Sequence, residues 1–179
     1  MLLEIVNAEA RHLAALSDLI FTHGANAWNW LPEVGVHNHL CDIAEGRAFG
    51  VLAMAQGQLL GAITFCCTND FAQYQNQAAE GGDQALHGYV CEAVVRRDQA
   101  GRGLGVKLLR VAIERLQQMG MQEIYIDRHE ENAASASMMR KAGFVEIATF
   151  AEPARRPHGS GRTTVCRLAL RLVTQATHN

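Results

Sequence analysis

A glycine-rich loop between a predicted strand and a predicted helix is the segment of this sequence best suited to chemistry. It reads Val94-Val-Arg-Arg-Asp-Gln-Ala-Gly-Arg-Gly-Leu-Gly-Val-Lys-Leu-Leu109. The glycines at 101, 103 and 105 let the backbone approach a ligand closely. Several N–H groups then converge at the start of a helix, where the helix dipole favours anions. The segment therefore predicts a phosphate-binding loop.

Two common nucleotide motifs do not fit this loop. Its spacing is G-x-G-x-G, whereas the dinucleotide fingerprint is G-x-G-x-x-G with an acidic residue after the next strand. Lys107 lacks the Walker A spacing and is not followed by Ser or Thr. The remaining alternative is a turn without a ligand, but three glycines at a helix start weaken the fold unless something uses them.

A second segment with a recognisable pattern follows the loop. It reads Asn132-Ala-Ala-Ser-Ala-Ser-Met-Met-Arg-Lys-Ala-Gly-Phe144. A strand, then Ala100-Gly-Arg-Gly-Leu-Gly105, then an amphipathic helix resembles motif A (R/Q-x-x-G-x-G/A) of the GNAT (GCN5-related) acetyltransferases. The second segment is similar to that family's N-x-x-A-x-x-L-Y-x-K-x-G-F pattern. Both motifs are present with the expected elements between them. The order of elements over the whole chain is also similar to that family's fold.

The resemblance implies acetyl-CoA as co-substrate, with no metal and no covalent enzyme intermediate. The cofactor would lie in a V-shaped cleft where the strand before motif A splays from the strand after its helix. The backbone at Val94 and Val95 would bind the pantetheine arm, and Asn132 would contact the cofactor near it. Arg102 could add positive charge near the pyrophosphate. Backbone amides would hold the pyrophosphate at Gly101, Arg102, Gly103, Leu104, Gly105 and Val106.

Two positions depart from the family pattern. Ala100 stands where Arg or Gln is usual, so one side-chain contact to phosphate is missing, and Gln99 or Arg102 is the expected substitute. Met139 stands where a Tyr often protonates the departing thiolate, and Met has no proton to donate. Ser135, one turn earlier on the same helix face, is the predicted general acid, with water as the alternative.

The general base is expected on the strand before the loop. By simple alternation, Tyr89 and Cys91 face one side of the sheet and Glu92 faces the other. The resemblance places bases at the positions of Tyr89 and Cys91, whereas a β-bulge would bring Glu92 toward the cleft. Tyr89 and Glu92 are the candidates, and a carboxylate at the rim of the site is the alternative for Glu92.

Acidic and aromatic residues predict where the acceptor amine binds. Asp127 matches a position at which some aminoglycoside-modifying members of the family carry an acceptor-binding Asp, and the resemblance makes it a further catalytic candidate. Glu130 and Glu131 extend the acidic run, which would attract a cation. Trp28 and Trp30 would form an aromatic wall. The alternatives are solvated charges at a helix start for the two glutamates and ordinary packing for the two tryptophans.

The predicted elements form a strand, two helices, three strands, a helix, a strand, a helix and two strands. They predict an α/β (α+β) fold, a mixed and mostly antiparallel sheet of six to seven strands with four helices and splayed central strands. Predicted strands are Leu2–Ala8, Ala48–Ala55, Leu59–Thr68, His87–Arg96, Glu123–Asp127, Phe144–Phe150 and Thr163–Val173. Predicted helices are Glu9–His23, Val34–Glu45, Leu104–Met119 and Ala133–Lys141. His129 is expected in a loop, and 69–86 is expected to be a long loop.

Composition narrows the class of protein. The 179 residues carry a formal charge of -2 and are 49% hydrophobic, which fits one folded domain over 1–179 and disfavours disorder or a basic nucleic-acid module. No apolar run approaches the roughly 18 residues of a membrane span, and the first residues do not resemble a secretory signal. We therefore expect a cytoplasmic protein without nucleic-acid or membrane partners. The five cysteines are expected to be reduced core thiols rather than a metal site.

The sequence as a whole predicts an N-acetyltransferase that transfers acetyl from acetyl-CoA to a primary amine by direct attack. The preferred acceptor is a small cationic amine. The alternatives are a protein or peptide N-acetyltransferase and a non-catalytic acyl-CoA-binding sensor. A homodimer is expected from the resemblance only.

Overall fold

The computed structural model describes residues 2–75 and 86–170, which form a seven-stranded sheet with helices on both faces. The predictions for residues 76–85 and for the end of the last strand at 171–173 lie outside the described residues. The strands are β1 (Glu4–Asn7), β2 (Ala48–Ala55), β3 (Gln58–Thr68), β4 (His87–Val95), β5 (Glu123–His129), β6 (Val145–Ala151) and β7 (Arg162–Ala169). The helices are α1 (Leu13–Leu19), α2 (Glu33–Ala44), α3 (Leu104–Gln118) and α4 (Ala133–Lys141).

The sheet is mixed, with strand order β1-β2-β3-β4-β5-β7-β6. Every neighbouring pair is antiparallel except β4 and β5. These two parallel strands pair at only two positions, Gly88 with Ile124 and Tyr89 with Tyr125. Beyond Tyr89 the strands separate and a cleft opens between them. The predicted splay of the central strands is therefore confirmed.

A β-bulge interrupts β4 at Cys91. Phe65 of β3 lies opposite Val90, while Thr64 lies opposite Glu92, so Cys91 is an extra residue. Cross-strand partners share a face of the sheet, as do residues two apart on one strand. Tyr89 therefore lies on the same face as Glu92, although the two are three residues apart. This register places Glu92 on the same face as Tyr89, whereas simple alternation predicts the opposite face.

Two apolar cores hold the sheet between its helices. On one face, Leu108, Ala112 and Leu116 of α3 are fully buried against the sheet. On the other face, the core is built from residues of α1, α2 and the sheet, including Leu16, Ile20, Val36, Leu40, Leu52 and Ala62. The helical stripe predicted for 104–119 is thus the buried side of α3.

Two predictions about the elements need correction. The helix predicted over 9–23 is a 3-10 turn at Ala10–His12, then α1, then a π-helical turn at Ile20–Gly24. The strand predicted to end at Asp127 continues to His129, so the loop assignment of His129 is wrong. Within the described part of the predicted loop, Ala72–Tyr74 form a short 3-10 helix. Among the described residues, no helix is both long and apolar enough to cross a membrane.

Candidate functional site

Two cavities meet in the cleft between β4 and β5. The smaller, of about 320 Å³, extends toward α2 and the β6–β7 connection, and the larger, of about 680 Å³, extends over the glycine-rich loop. Both are lined by Asn29, Ala93, Asn132 and Ser135. A bound molecule could therefore reach from the glycine-rich loop to Glu92 without leaving the cleft.

The glycine-rich loop has the geometry of an anion cradle. Gly101 has φ 76° and Gly103 has φ 77°, a conformation that L-residues with side chains avoid. A Cβ at either position would meet no described atom within 4 Å, so the space above the loop is open. The first backbone bond of α3 runs from the Lys107 N–H to the Gly103 carbonyl, at 3.0 Å. The preceding amide groups at Leu104, Gly105 and Val106 lack intrahelical acceptors and are available to a phosphate.

Gly105 has a role in helix packing in addition to any role in ligand binding. A Cβ on Gly105 would lie 2.9 Å from the sulfur of Met138, so the glycine lets α3 and α4 approach each other closely. Leu104 is buried in the core beneath α3, and only its backbone can contribute to binding. The sequence alone did not distinguish these roles, because all three glycines fit one motif.

Side chains beside the loop supply positive charge. The Arg102 guanidinium lies 3.4 Å from the Gln99 side-chain oxygen, so the two expected substitutes for the missing motif residue are neighbours. Arg97 donates to the Ala25 carbonyl at 3.0 Å and ties the π-helical turn to the loop. Arg97, Gln99 and Lys141 also line the larger cavity.

The floor of the larger cavity is the end of β4, where Val94 and Val95 are located. Gly24, at the end of the π-helical turn, lies so close that a Cβ there would be 3.1 Å from Val94. The Gly24 carbonyl accepts bonds from the side-chain amides of Asn29 at 2.7 Å and Asn26 at 3.2 Å. These bonds hold the 24–29 segment beside the cavity that it lines.

Asn132 and Ser135 stand where the two cavities join. The Asn132 side chain caps α4 by accepting the Ser135 backbone N–H at 3.1 Å. This bond uses the Ser135 amide and leaves its hydroxyl on the cleft wall. Met139, one turn further along α4, lines the smaller cavity and is buried.

Glu92 is a half-buried carboxylate on the wall of the smaller cavity. Burial raises the pKa of Glu92 to about 7, with a further contribution from the negative charge of Asp127 and an opposing one from Arg155. Among the described carboxylates in that wall, Glu92 is the one that forms no ion pair. A carboxyl group with this pKa changes protonation near neutral pH, as a general base must.

Asp127 is held between two arginines and a tyrosine. Its carboxylate accepts from Arg156 at 2.7 Å, from Arg155 at 3.2 Å and from the Tyr89 hydroxyl at 3.1 Å. Burial raises the pKa of Tyr89 well above its ordinary value, and the charge of Asp127 adds to the effect. Tyr89 is therefore a neutral hydrogen-bond donor at physiological pH. Sequence reasoning did not pair the two arginines with Asp127, because they lie 28 and 29 residues from it in the chain.

The other acidic residues of the predicted cluster are also occupied. Glu130 pairs with Arg162 at 3.3 Å, and a Glu131 oxygen accepts the Ser160 backbone N–H at 2.6 Å. Neither glutamate is among the described residues lining the two cavities. The expected attraction of a cation by the whole acidic run is thus reduced, and Glu92 is left as the described carboxylate of the cavity wall that forms no ion pair.

The two tryptophans lie in different surroundings. Trp30 lines the smaller cavity, and the Arg155 guanidinium lies 5.7 Å from its ring centre, within range of a cation–π contact. Trp28 packs against the buried ring of His129, with 4.7 Å between ring centres. His129 accepts the Glu131 N–H at 3.0 Å and contacts the His158 carbonyl at 2.8 Å, so its ring organises this corner. The structure does not bring Trp28 to the cavity wall.

His39 of α2 is a cavity residue that sequence reasoning missed. Its Nε2 atom lies 2.8 Å from the Thr64 hydroxyl, and burial lowers the pKa of His39. His39 occupies an ordinary helical position, and only the packing of α2 against β3 brings it to the site. Within 2–75 and 86–170, the His, Cys, Asp and Glu side chains form no group that could hold a metal ion.

Comparison with known proteins agrees with the geometry. The family model described as Acetyltransferase (GNAT) family matches residues 13–144. The match covers most of the chain, and the protein belongs to this family. The resemblance inferred from the two motifs is confirmed, as is the predicted fold class.

Individual relatives share less with this chain. The L-methionine sulfoximine/L-methionine sulfone acetyltransferases of Pseudomonas aeruginosa and Pseudomonas paraeruginosa are 44% identical over 50 residues, or 28% of this chain. The matched segment spans 29% of the length of those relatives. Among solved structures, the ribosomal-protein-S18-alanine N-acetyltransferase from Escherichia coli superposes with TM-score 0.72 at 15% identity, over 99% of this chain and all of that one. The structure of yncA from Salmonella typhimurium, determined with acetyl-CoA, superposes with TM-score 0.71 at 20% identity, over 96% of this chain and 95% of that one.

Proposed function

We propose that this protein transfers an acetyl group from acetyl-CoA to a small primary amine. The observation that carries this proposal is the continuity of the cleft. It has an anion cradle at one end and a carboxyl group of pKa about 7 in the wall at the other, with Ser135 where the two cavities meet. Each part suits one portion of the two-substrate reaction.

The residues of the larger cavity fit acetyl-CoA, which would supply the activated acetyl thioester. The left-handed glycines at 101 and 103 clear the space that a pyrophosphate needs, and the free amides at the start of α3 would bind it. The neighbouring side chains of Arg102 and Gln99 would supply the phosphate contact that Ala100, at the usual position of Arg or Gln, cannot make. Val94 and Val95 would bind the pantetheine arm along the open edge of β4, and Asn132 would contact it from α4.

Glu92 acts as the general base in this proposal. An amine is mostly protonated near pH 7 and must lose a proton before its lone pair can attack a carbonyl carbon. Glu92 accepts that proton, directly or through one water, because its pKa lies in the working range. Tyr89 and Asp127 act differently: Tyr89 stays protonated, and Asp127 anchors the arginines that close the acceptor side.

Ser135 is the proposed proton donor to the departing thiolate. It lines both cavities, whereas Met139 at the usual position of the donor is apolar. A serine hydroxyl can pass on a proton and recover it from water. The reaction then needs no metal and no covalent bond to the protein.

The acceptor is a small amine in this proposal. The smaller cavity combines one unpaired carboxylate, Glu92, with the aromatic face of Trp30 and apolar side chains at Leu31, Pro32 and Val36. These features suit a molecule with one amino group and a compact body. The Pseudomonas relatives, named for L-methionine sulfoximine and L-methionine sulfone, also act on small molecules with an amino group.

The test is release of free CoA thiol from acetyl-CoA in the presence of single amines. The panel contains amino acids including L-methionine sulfoximine, small monoamines, polyamines, aminoglycosides and short peptides. We expect release with one or more of the small single-amine acceptors. Thiol release only with peptides would identify the acceptor as a peptide instead of a small amine. Binding of acetyl-CoA without thiol release for any amine would favour an acyl-CoA sensor.

A further inference from the structure

Two thiols lie side by side beneath the smaller cavity. The sulfur atoms of Cys66 on β3 and Cys91 on β4 are 3.7 Å apart. Cys91 lines the cavity, and both side chains are partly buried. Neither residue has a role in the acetyl transfer proposed above.

The bulge in β4 produces this contact. In an unbroken ladder, the residue after Val90 would take a partner on β3, but Cys91 has none because Thr64 pairs with Glu92. A bulged strand bends locally and re-aims its side chains. The Cys91 thiol thereby lies against Cys66, whose own strand partner is Tyr89.

The geometry is compatible with a disulfide bond. Bonded sulfurs are about 2.05 Å apart, so the two atoms must move closer by roughly 1.7 Å. In a regular antiparallel ladder, diagonal neighbours such as Cys66 and the residue two after Tyr89 lie about 7–8 Å apart, so the bulge at Cys91 is what brings the two thiols into contact, and closing the bond shifts the backbone there.

The two thiols are chemically unequal. The hydrogen bond that Cys91 donates lowers the pKa of Cys66, and the same bond with burial raises the pKa of Cys91. The thiolate is the reactive form of cysteine, so Cys66 is the first to react with an oxidant. The neighbouring Cys67 packs on the opposite face of the sheet and cannot take the place of Cys66.

We propose that Cys66 and Cys91 form a redox modification site, at which a hydroperoxide joins them in a disulfide and stops acetyl transfer. The Cys66 thiolate attacks the O–O bond, giving Cys66 sulfenic acid and one molecule of water or alcohol. Cys91 then attacks the Cys66 sulfur. The S–S bond forms, the S–O bond breaks, and the Cys91 proton leaves with the oxygen as water. The two thiols lose two electrons and the hydroperoxide gains them.

The expected consequence for activity follows from the position of Cys91. It is joined directly to Glu92 and is two residues from Tyr89. Drawing its sulfur toward β3 displaces the bulge that orients the Glu92 carboxyl. This part of the proposal rests on the proposed function, whereas formation of the disulfide does not.

The experiment treats the folded full-length protein with hydrogen peroxide, removes the peroxide, and alkylates free thiols after unfolding. We expect intact mass to show a loss of two alkylated thiols from the five cysteines, reversed by dithiothreitol. Cleavage at glutamates separates Cys91 from Cys66 and Cys67, so a linked peptide identifies the bond. Cys66→Ser and Cys91→Ala should each abolish the link, while the control variants Cys67→Ser and Cys41→Ser retain it. Retention of all five thiols, or a link that survives Cys66→Ser, would overturn the site.

Acetyl transfer is measured on the same samples. We expect oxidation to lower wild-type activity at least tenfold, because a displacement of about 1 Å in a site can cost on the order of 100-fold. Oxidised and untreated samples are compared within each variant, so an altered starting activity does not matter. A complete disulfide with unchanged activity would overturn the regulatory claim. If no amine supports transfer, the proposed function fails while the mass result still decides whether the bond forms.

Discussion

Thr64 and Glu92 face each other across β3 and β4, and the Thr64 hydroxyl accepts the Glu92 backbone N–H at 3.1 Å. The same hydroxyl lies 2.8 Å from His39, so one fully buried side chain joins α2 to the bulge. This contact fixes the backbone at the point where the register changes. The orientation of the proposed base therefore depends on a residue that does not itself touch the substrate.

Replacing Glu92 with Gln should remove the general base. We expect kcat to fall by about 10²–10⁴-fold, the usual contribution of a positioned base. In the wild type, kcat should rise with pH through about 7, because the Glu92 carboxyl must be deprotonated to accept a proton. Stopped assays between pH 5.5 and 9 check both expectations. Glu4→Gln is the matched control, because Glu4 is exposed at the start of β1. An equal loss of kcat in both variants would contradict the role of Glu92.

The same substitution, although it lowers kcat, should raise the stability of the folded protein above neutral pH. The pKa of Glu92 is raised to about 7 in the folded protein, above the ordinary value of 4.5, so the folded state holds the proton more tightly. Wild-type stability must then decrease as pH rises from about 4.5 to 7 and level off above that. Glu92→Gln lacks this loss. Its melting temperature should exceed that of the wild type at pH 8, with the advantage shrinking toward pH 5. An advantage that does not depend on pH would indicate another cause.

Gly103→Ala should weaken acetyl-CoA binding through the cradle. Gly103 has φ 77° and Gly57, in the β2–β3 hairpin turn, has φ 75°, and a Cβ at either position meets no described atom within 4 Å. Both alanine variants should lose about 1 kcal/mol of stability from backbone strain. Only Gly103→Ala should raise the Kd for acetyl-CoA, because its methyl group enters the space proposed for the pyrophosphate. Calorimetric titration decides, and equal affinities in the two variants would contradict the cradle.

Ser135→Ala tests the proposed proton donor. Ser137 lies in the same helix and lines only the larger of the two cavities, whereas Ser135 lines both. We expect Ser135→Ala to lower kcat by about 10- to 100-fold, since water can partly replace a lost general acid, with little change in the Kd for acetyl-CoA. Ser137→Ala should leave kcat nearly unchanged. Similar kcat values in the two variants would assign proton delivery to water.

Strong periodicity made most elements predictable from sequence. Helix α4 was predicted with its observed bounds, Ala133–Lys141, because a capping Asn precedes it and a Gly follows its end. The β2–β3 hairpin was also predictable, because Gln56-Gly57 is a turn signal between two strand patterns, and both residues have the positive φ that a tight hairpin requires. The end of β5 was missed because Arg128 and His129 are polar yet buried. Two of their partners, Glu146 and His158, lie 18 and 29 residues further along the chain, so the local pattern gave no sign of burial.

The site was only partly predictable for the same reason. Motif spacing identified the glycine-rich loop and Asn132, since these contacts are local in sequence. The neutralisation of Asp127 by Arg155 and Arg156 depends on the fold of the β6–β7 connection, and so does the placement of Trp30 beneath Arg155. The bulge was considered possible from sequence, but its position at Cys91 follows from pairing with β3.

The two-residue pairing between β4 and β5 divides the sheet into two smaller sheets, β1–β4 and β5–β7, that share one short seam. From Val90 onward, the edge of β4 that faces β5 has no strand partner among the described residues. Amide groups along an unpaired edge exchange their hydrogens with solvent more readily than paired ones. A ligand lying in this opening would pair with that edge and complete the sheet, so binding a substrate and joining the two halves of the molecule would be one event.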